Sequence, residues 1–421
     1  MGELIQFDKA SELCRLIDRL AEFSDIAEDG DNAGVTRLLY TQPWMEAQAF
    51  LAGTMSDAGL AVRFDRVGNL IGRLEGSDPD APVILTGSHV DTVRNGGKLD
   101  GAYGIVGGIA ALKHLKETYG VPARTLEVVS FCEEEGSRFP IAYWGSGNMT
   151  GQLDWRSGNE LRDTEGTSLQ KAMEASGFGL IEQPDCVRGE LGAFVELHIE
   201  QGVILERMAK QIGIVEAIVG QRRYSVSLRG EANHAGTTPM NMRTDAMAGA
   251  AEFIVRLEQL AARAASLVAT VGRIQAAPNI PNVIPGTVEF TLDIRHDSER
   301  TLSWFCDYLF QEYEDIANRR GLALVITPWL ATTPVPMNRS LTGQIEQLCG
   351  KLNLTHRRMF SGAGHDAQLF AELCPTAMIF VPSKAGISHS PEEYSSPEQL
   401  ADGVSVLASL LYELAYEEQS K

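Results

Sequence analysis

The chain of 421 residues carries only eight histidines, and several of them stand beside acids near the ends of apolar runs. His89 lies in GSHVDT (87–92), just after the apolar Val83-Ile84-Leu85. Asp100 follows in GGKLDG (96–101), Glu133-Glu134-Glu135 close the run LEVVSF (126–131), and His198 and His389 stand in FVELHIE (194–200) and GISHS (386–390). Imidazoles mixed with carboxylates make a borderline-hard donor set suited to Zn2+, Mn2+ or Co2+. Five or so such ligands exceed what one ion in an open catalytic site needs, so the set points to two ions sharing a bridging carboxylate. Each residue alone has a plainer reading: a single His at a strand end is usually hydrogen-bonded, and adjacent glutamates are usually a solvated face. Here the three acids follow an apolar strand directly, where they would repel one another without a cation nearby. The glycine-rich GSG (145–147) and GAG (362–364) match neither GxGxxG nor a Walker A loop and read as tight turns. There is no GxSxG elbow, and no cysteine has a base beside it.

These side chains must be brought together by the elements around them. Helical spacing is present over 11–23, 43–58 and 104–118, and short buried strands are expected at 83–85 and 126–131. This alternation predicts an α/β domain with a mostly parallel sheet, whose ligand sites lie at the carboxyl ends of the strands. From about Ile212 the order becomes strand 224–229, helix 243–263, strands 266–274 and 287–295, helix 298–319 and strand 322–328, a split βαβ or ferredoxin-like arrangement. After Pro334 the first pattern returns with helix 340–352, strand 377–381 and a last helix opened by Ser396-Pro397-Glu398-Gln399, a capping box. The expected organisation is a catalytic domain in two parts, 1–211 and 330–421, interrupted by a smaller α+β domain at 212–329.

Composition narrows the function classes. Hydrophobic residues make up 44% and charged residues 22%, as in ordinary globular proteins. A net charge of −20 argues against nucleic acid as a partner, because phosphate binding is driven by Lys and Arg. No apolar run reaches the ~18 residues of a membrane span, and the opening MGELIQFDKASELCRLIDRL lacks the apolar core of a signal peptide. With six cysteines and no CxxC spacing, the expectation is a cytoplasmic protein without disulfides.

Taken jointly, HVDTV (89–93), GGKLDG, Glu134-Glu135-Gly136 and the distant His389 resemble the M20 metallopeptidase/amidohydrolase family over nearly the whole chain. GSRFP (136–140), ELHIEQG (196–202), GQRR (220–223), NHAGTTPM (233–240) and GAGHDA (362–367) are similar to its N-carbamoyl amidohydrolase branch, and EEEGSRFP (133–140) with WGS (144–146) to the allantoate-cleaving members. The resemblance implies two divalent ions per subunit, Mn2+ or Zn2+, held by His89, Asp100, Glu135, His198 and His389, with Asp100 as the bridge. It implies Asp91 as the orienting partner of His89 and Glu134 as the general base that moves a proton from water to the leaving nitrogen. The implied reaction cleaves the ureido C–N bond of allantoate, giving ureidoglycine, ammonia and carbon dioxide. N-carbamoyl-L-amino-acid or β-ureidopropionate hydrolysis is the alternative, metallo-aminopeptidase or deacylase activity a more distant one, and a non-catalytic scaffold the reading from another class. In the inserted domain His234 is suited to an oxyanion, Gln221 and Asn282 to a ureido group, and Arg295 to a substrate carboxylate. For Arg295 a salt bridge with Asp293 or Asp297 is the plainer reading. The resemblance further implies a homodimer through the inserted domain, with His234 reaching the partner's site; Asn282 is expected to arrive there with it, and hinges are expected near 210–214 and 328–334. The roles of Glu133 and His365 stay open at this point.

Overall fold

The structure, a computed structural model, describes residues 5–25 and 34–417. The chain divides into two compact units: one takes in the chain up to Glu216, Met337–Met359 and His365 onward, the other Ala217–Pro336 with Phe360–Gly364.

In the first unit a mixed sheet runs in the order Ala61–Phe64, Leu70–Leu74, Leu126–Phe131, Val83–His89, Leu191–Ile199, Thr376–Val381, Ile212–Ile218. The four strands from Leu126–Phe131 to Thr376–Val381 are mutually parallel. Strands Val83–His89, Leu126–Phe131 and Thr376–Val381 are buried along their whole length, which is why their apolar residues run together, as in Val83-Ile84-Leu85, Val128-Val129 and Ala377–Val381, rather than alternating. Helices Ala102–Tyr119 and Pro397–Ala415 pack on each other and on these strands, and Ala10–Ala21 packs on both helices through Leu13, Ile17 and Leu20. Gly104 permits the close approach of helix to sheet: a Cβ there would stand 2.4 Å from the Leu197 carbonyl oxygen and 2.7 Å from Ser88 Cβ. Charge also lies inside this unit. Glu127 is fully buried on its strand and is met by Arg188 at 2.8 Å, Arg73 at 3.0 Å and Arg63 at 3.5 Å.

The second unit is an antiparallel sheet in the order Ile274–Ala277, Thr287–His296, Gly220–Arg229, Ala323–Thr332, carrying helices Ala246–Ala261 and Glu299–Arg320. Phe253, Phe290 and Tyr313 form the centre of its core, with the Phe253 and Tyr313 rings stacked 4.1 Å apart. The expected strand 266–274 is instead two short strands, Val268–Thr270 and Ile274–Ala277, that both pair with Thr287–His296. Three residues, Val271-Gly272-Arg273, oppose the two residues Thr291-Leu292, so a bulge breaks the strand at its glycine. Helix 243–263 shortens to Ala246–Ala261 because Asp245 caps it, accepting the Met247 and Ala248 N–H groups. The capping box at Ser396 and Gln399 is present. Among the described residues no helix is long and apolar enough to cross a membrane.

Candidate active site

Parallel strands deliver their carboxyl ends to one edge of the sheet, and the acids and imidazoles of the first unit gather there. His89 ends its strand, Glu133–Glu135 follow Leu126–Phe131, and His198 is the penultimate residue of Leu191–Ile199. Asp100 stands just ahead of helix Ala102–Tyr119, where the helix dipole favours an anion. Gly101 makes that turn possible: it has φ +63°, and a Cβ would stand 2.4 Å from the His89 carbonyl oxygen.

The carboxylate of Asp100 divides the imidazoles between its two oxygens. His89 Nε2 and His198 Nε2 lie 3.4 and 3.2 Å from Oδ1, and His389 Nε2 lies 3.2 Å from Oδ2 and 3.4 Å from Glu135 Oε1. The other ring nitrogens are already committed. His198 Nδ1 donates to the Ile199 carbonyl at 2.9 Å, and His89 Nδ1 faces the Asp91 carbonyl at 3.0 Å and its Oδ1 at 3.3 Å. A carbonyl only accepts, so each Nδ1 carries a proton, and Nε2 is the nitrogen turned to Asp100, which it meets as a donor when the ring is charged and would leave free for a cation when the ring is neutral. Asp91 also accepts the Glu134 N–H at 2.9 Å and the Glu135 N–H at 3.1 Å, so one buried carboxylate sets His89 and both glutamates.

Burial pushes the Glu134 carboxyl well above its ordinary pKa, with the Glu135 charge adding to the rise. Burial and the neighbouring Asp100 charge push Glu135 up to about 7. Burial acts upward on Asp100 as well, but hydrogen bonds from His198, His389 and His89 hold it well below the usual carboxylate range. The hydrogen bond to Asp100 lifts His389 to about 9. Such mutual strain is what a cation would relieve. The donor atoms of His89, Asp100 and His198, and separately of Asp100, Glu135 and His389, lie within 4.8 Å of one another, and the nitrogen and oxygen set fits divalent ions.

Several residues here were given no role by the sequence. His365 is buried with its ring edge-on to His198 at 4.6 Å, and burial together with the His198 charge holds its pKa well below the usual range. Glu196 accepts from Ser88 Oγ at 2.8 Å and from the Ala367 N–H at 2.9 Å. Its signal was present: a glutamate two residues before His198 in a strand shares the face of that histidine. Glu133 turns inward rather than to solvent and accepts the Gly136 and Ser137 N–H groups. Gln201 donates to Asp100 Oδ2 at 2.8 Å, while Ser388 and Glu393 lie behind the Asp100 turn.

The remaining expected site residues belong to the second unit. Gln221 and Arg295 are cross-strand partners. Arg295 donates through Nε and Nη2 to Asp293 at 2.8 and 2.9 Å and through Nη1 to the Gly362 carbonyl at 2.7 Å, so the salt bridge to Asp293 is formed. Arg223 meets the same aspartate at 2.8 Å, and Arg223, Asp293, Arg295 and Trp329 line a cavity of about 480 Å³. His234 and Asn282 share another corner, where the Ala235 N–H donates to the Asn282 carbonyl at 3.0 Å. His234 Nδ1 accepts the Gly236 N–H at 3.0 Å, which leaves the ring proton on the exposed Nε2.

Residues 85–413 match the model of the peptidase family M20/M25/M40. The chain is 48% identical to the allantoate amidohydrolase of Bacillus subtilis (strain 168), over 95% of this chain and 96% of the relative. It is 46% identical to the allantoate amidohydrolase of Escherichia coli (strain K12), over 91% and 94%. Among solved structures it resembles an amidase of the hydantoinase/carbamoylase family from Burkholderia multivorans, with a TM-score of 0.93 and 33% identity over 99% of this chain and 100% of that one.

Proposed function

Because the chain belongs to the M20/M25/M40 peptidase family, whose hydrolases use divalent metals, we propose that it is an amidohydrolase that cleaves one ureido C–N bond of allantoate. The observation that carries the reading is the split of ligands across Asp100, with His89 and His198 on one oxygen, His389 on the other with Glu135 against it, and the buried Glu134 beside them. Two ions, Mn2+ or Zn2+, held by those residues would polarise the ureido carbonyl and make water a stronger nucleophile. Glu134 takes the proton of the attacking water and delivers it to the nitrogen that leaves, a task matched by a carboxyl whose pKa burial has raised. The products are ureidoglycine and carbamate, which falls to ammonia and carbon dioxide. Asp91 fixes His89 and the backbone of both glutamates and so keeps the base in place.

Substrate recognition falls to the second unit in this reading. Arg295, held by Asp293, reads the carboxylate, Gln221 and Asn282 bind ureido groups, and His234 offers its Nε2–H to the developing oxyanion. The same unit forms a homodimer. Ala323–Thr332 ends its sheet with exposed Val325 and Trp329, and Trp304 and Tyr308 stack in parallel on exposed helix surface. The cytoplasm is its place of action, in keeping with six cysteines that are all free.

The test is a panel of allantoate, ureidoglycolate, N-carbamoyl-L-amino acids and β-ureidopropionate, with ammonia release followed on the Mn2+-loaded enzyme. Allantoate is expected to give the highest kcat/KM. A higher value for an N-carbamoyl amino acid would reassign the substrate, and no turnover of any of them would overturn the reading.

A further inference from the structure

We propose that Glu393 is a positioning residue for one half of the metal centre, tying the turn that carries Asp100 to the loop that carries His389 so that the two ligands are presented as a pair. The inference rests on the two-ion reading above.

Glu393 is 3% exposed, and both of its oxygens are spent on the two loops. Oε1 accepts the Leu99 N–H at 2.8 Å and the Asp100 N–H at 3.0 Å. Oε2 accepts Ser388 Oγ–H at 2.7 Å, and Ser388 is the residue before His389. Ser388 Oγ also lies 3.2 Å from Asp100 Oδ2, and Gln201 Nε2 donates to that same Oδ2 at 2.8 Å and reaches Ser388 Oγ at 3.3 Å. Every side-chain link in this chain ends on Oδ2, the oxygen that faces His389, and none on Oδ1, the oxygen that faces His89 and His198.

Two further features are consistent with a built contact. Gly97 lets the turn close over the carboxylate, because a Cβ there would stand 2.0 Å from Glu393 Oε1. His389 has φ +55°, a left-handed conformation that is unfavourable for a non-glycine residue and persists only where its surroundings hold it. Ser388, anchored by Glu393, is the adjacent hold. Without Glu393 the buried Leu99 and Asp100 N–H groups lose their acceptor, and Ser388 keeps only the longer contact to Asp100 Oδ2.

The experiment titrates Zn2+ into metal-stripped full-length enzyme by calorimetry and measures metal content after dialysis, with His389→Ala marking what loss of the second equivalent looks like. Glu393→Ala is expected to weaken the second equivalent by about 10–100-fold, the usual effect of removing an outer partner of a ligand, and to leave the first unchanged. Glu393→Gln keeps an oxygen for the two N–H groups and an amide N–H for Ser388 Oγ, so it restores the second equivalent. Equal weakening of both equivalents, or of neither, in a variant with native circular dichroism overturns the proposal. Should Glu393→Ala fail to fold, Ser388→Ala carries the test, since it cuts the link without orphaning a backbone group. Loss confined to the second equivalent then supports the proposal, and an unchanged second affinity overturns it. A wild-type chain that binds fewer than two ions overturns the two-ion reading and this proposal with it.

Discussion

Asp91 is placed to govern residues that it does not resemble in role: it faces the His89 ring and accepts the N–H groups of Glu134 and Glu135. Glu134 is therefore fixed by its backbone, which leaves its carboxyl free for the proton transfer proposed above. Glu134→Gln should keep both metal equivalents yet lose about 10²–10⁴-fold in kcat, because an amide cannot carry the proton. Metal analysis alongside steady-state kinetics checks this, and a variant with near wild-type kcat would remove Glu134 from the role. At this scale His89, Asp91, Asp100 and the glutamate run were legible because they sit in short segments whose spacing carries the pattern. Glu393 was not, because the Asp100 N–H that it accepts lies 293 residues away in the chain. An isolated glutamate in a loop gives no local sign of such a bond.

Among the elements, the central strand Leu126–Phe131 carries a charge where a parallel strand normally carries an aliphatic side chain. Glu127 gathers Arg63, Arg73 and Arg188, which come from outside its own strand. Without Glu127, Arg73 keeps Glu75 and Arg188 keeps Glu190, so the loss is that of hydrogen bonds to a charged group, about 1.5–3 kcal/mol. Glu127→Ala is thus expected to lower stability in urea unfolding by that order, and a loss below 1 kcal/mol would mean that the arginines find water instead. Local chemistry explains which elements could be read in advance. The last helix announces itself through Ser396, Pro397 and Gln399, all within one turn. The break at Val271-Gly272-Arg273 is set by pairing to residues 291–292, and no pattern within 266–274 records that register.

For the whole molecule, the proposed dimer poses a choice: His234 serves either its own subunit's site or the partner's. Mixing Glu134→Gln with His234→Ala, under conditions where tagged subunits are seen to exchange, decides it. If His234 acts in the partner's site, each mixed dimer holds one site with both defects and one intact site, and activity returns to about half of wild type per mixed dimer. If His234 acts in its own subunit, every site keeps one defect and the mixture stays inactive. The order of strands adds a demand on synthesis. Thr376–Val381 is inserted between Leu191–Ile199 and Ile212–Ile218, so the slot between those two strands cannot be filled until the ribosome has made residue 381. At ~5–20 residues per second the nascent chain waits roughly 10–30 s with two apolar strand edges unpaired. During that interval a holdase chaperone, rather than the rest of the polypeptide, is the available cover.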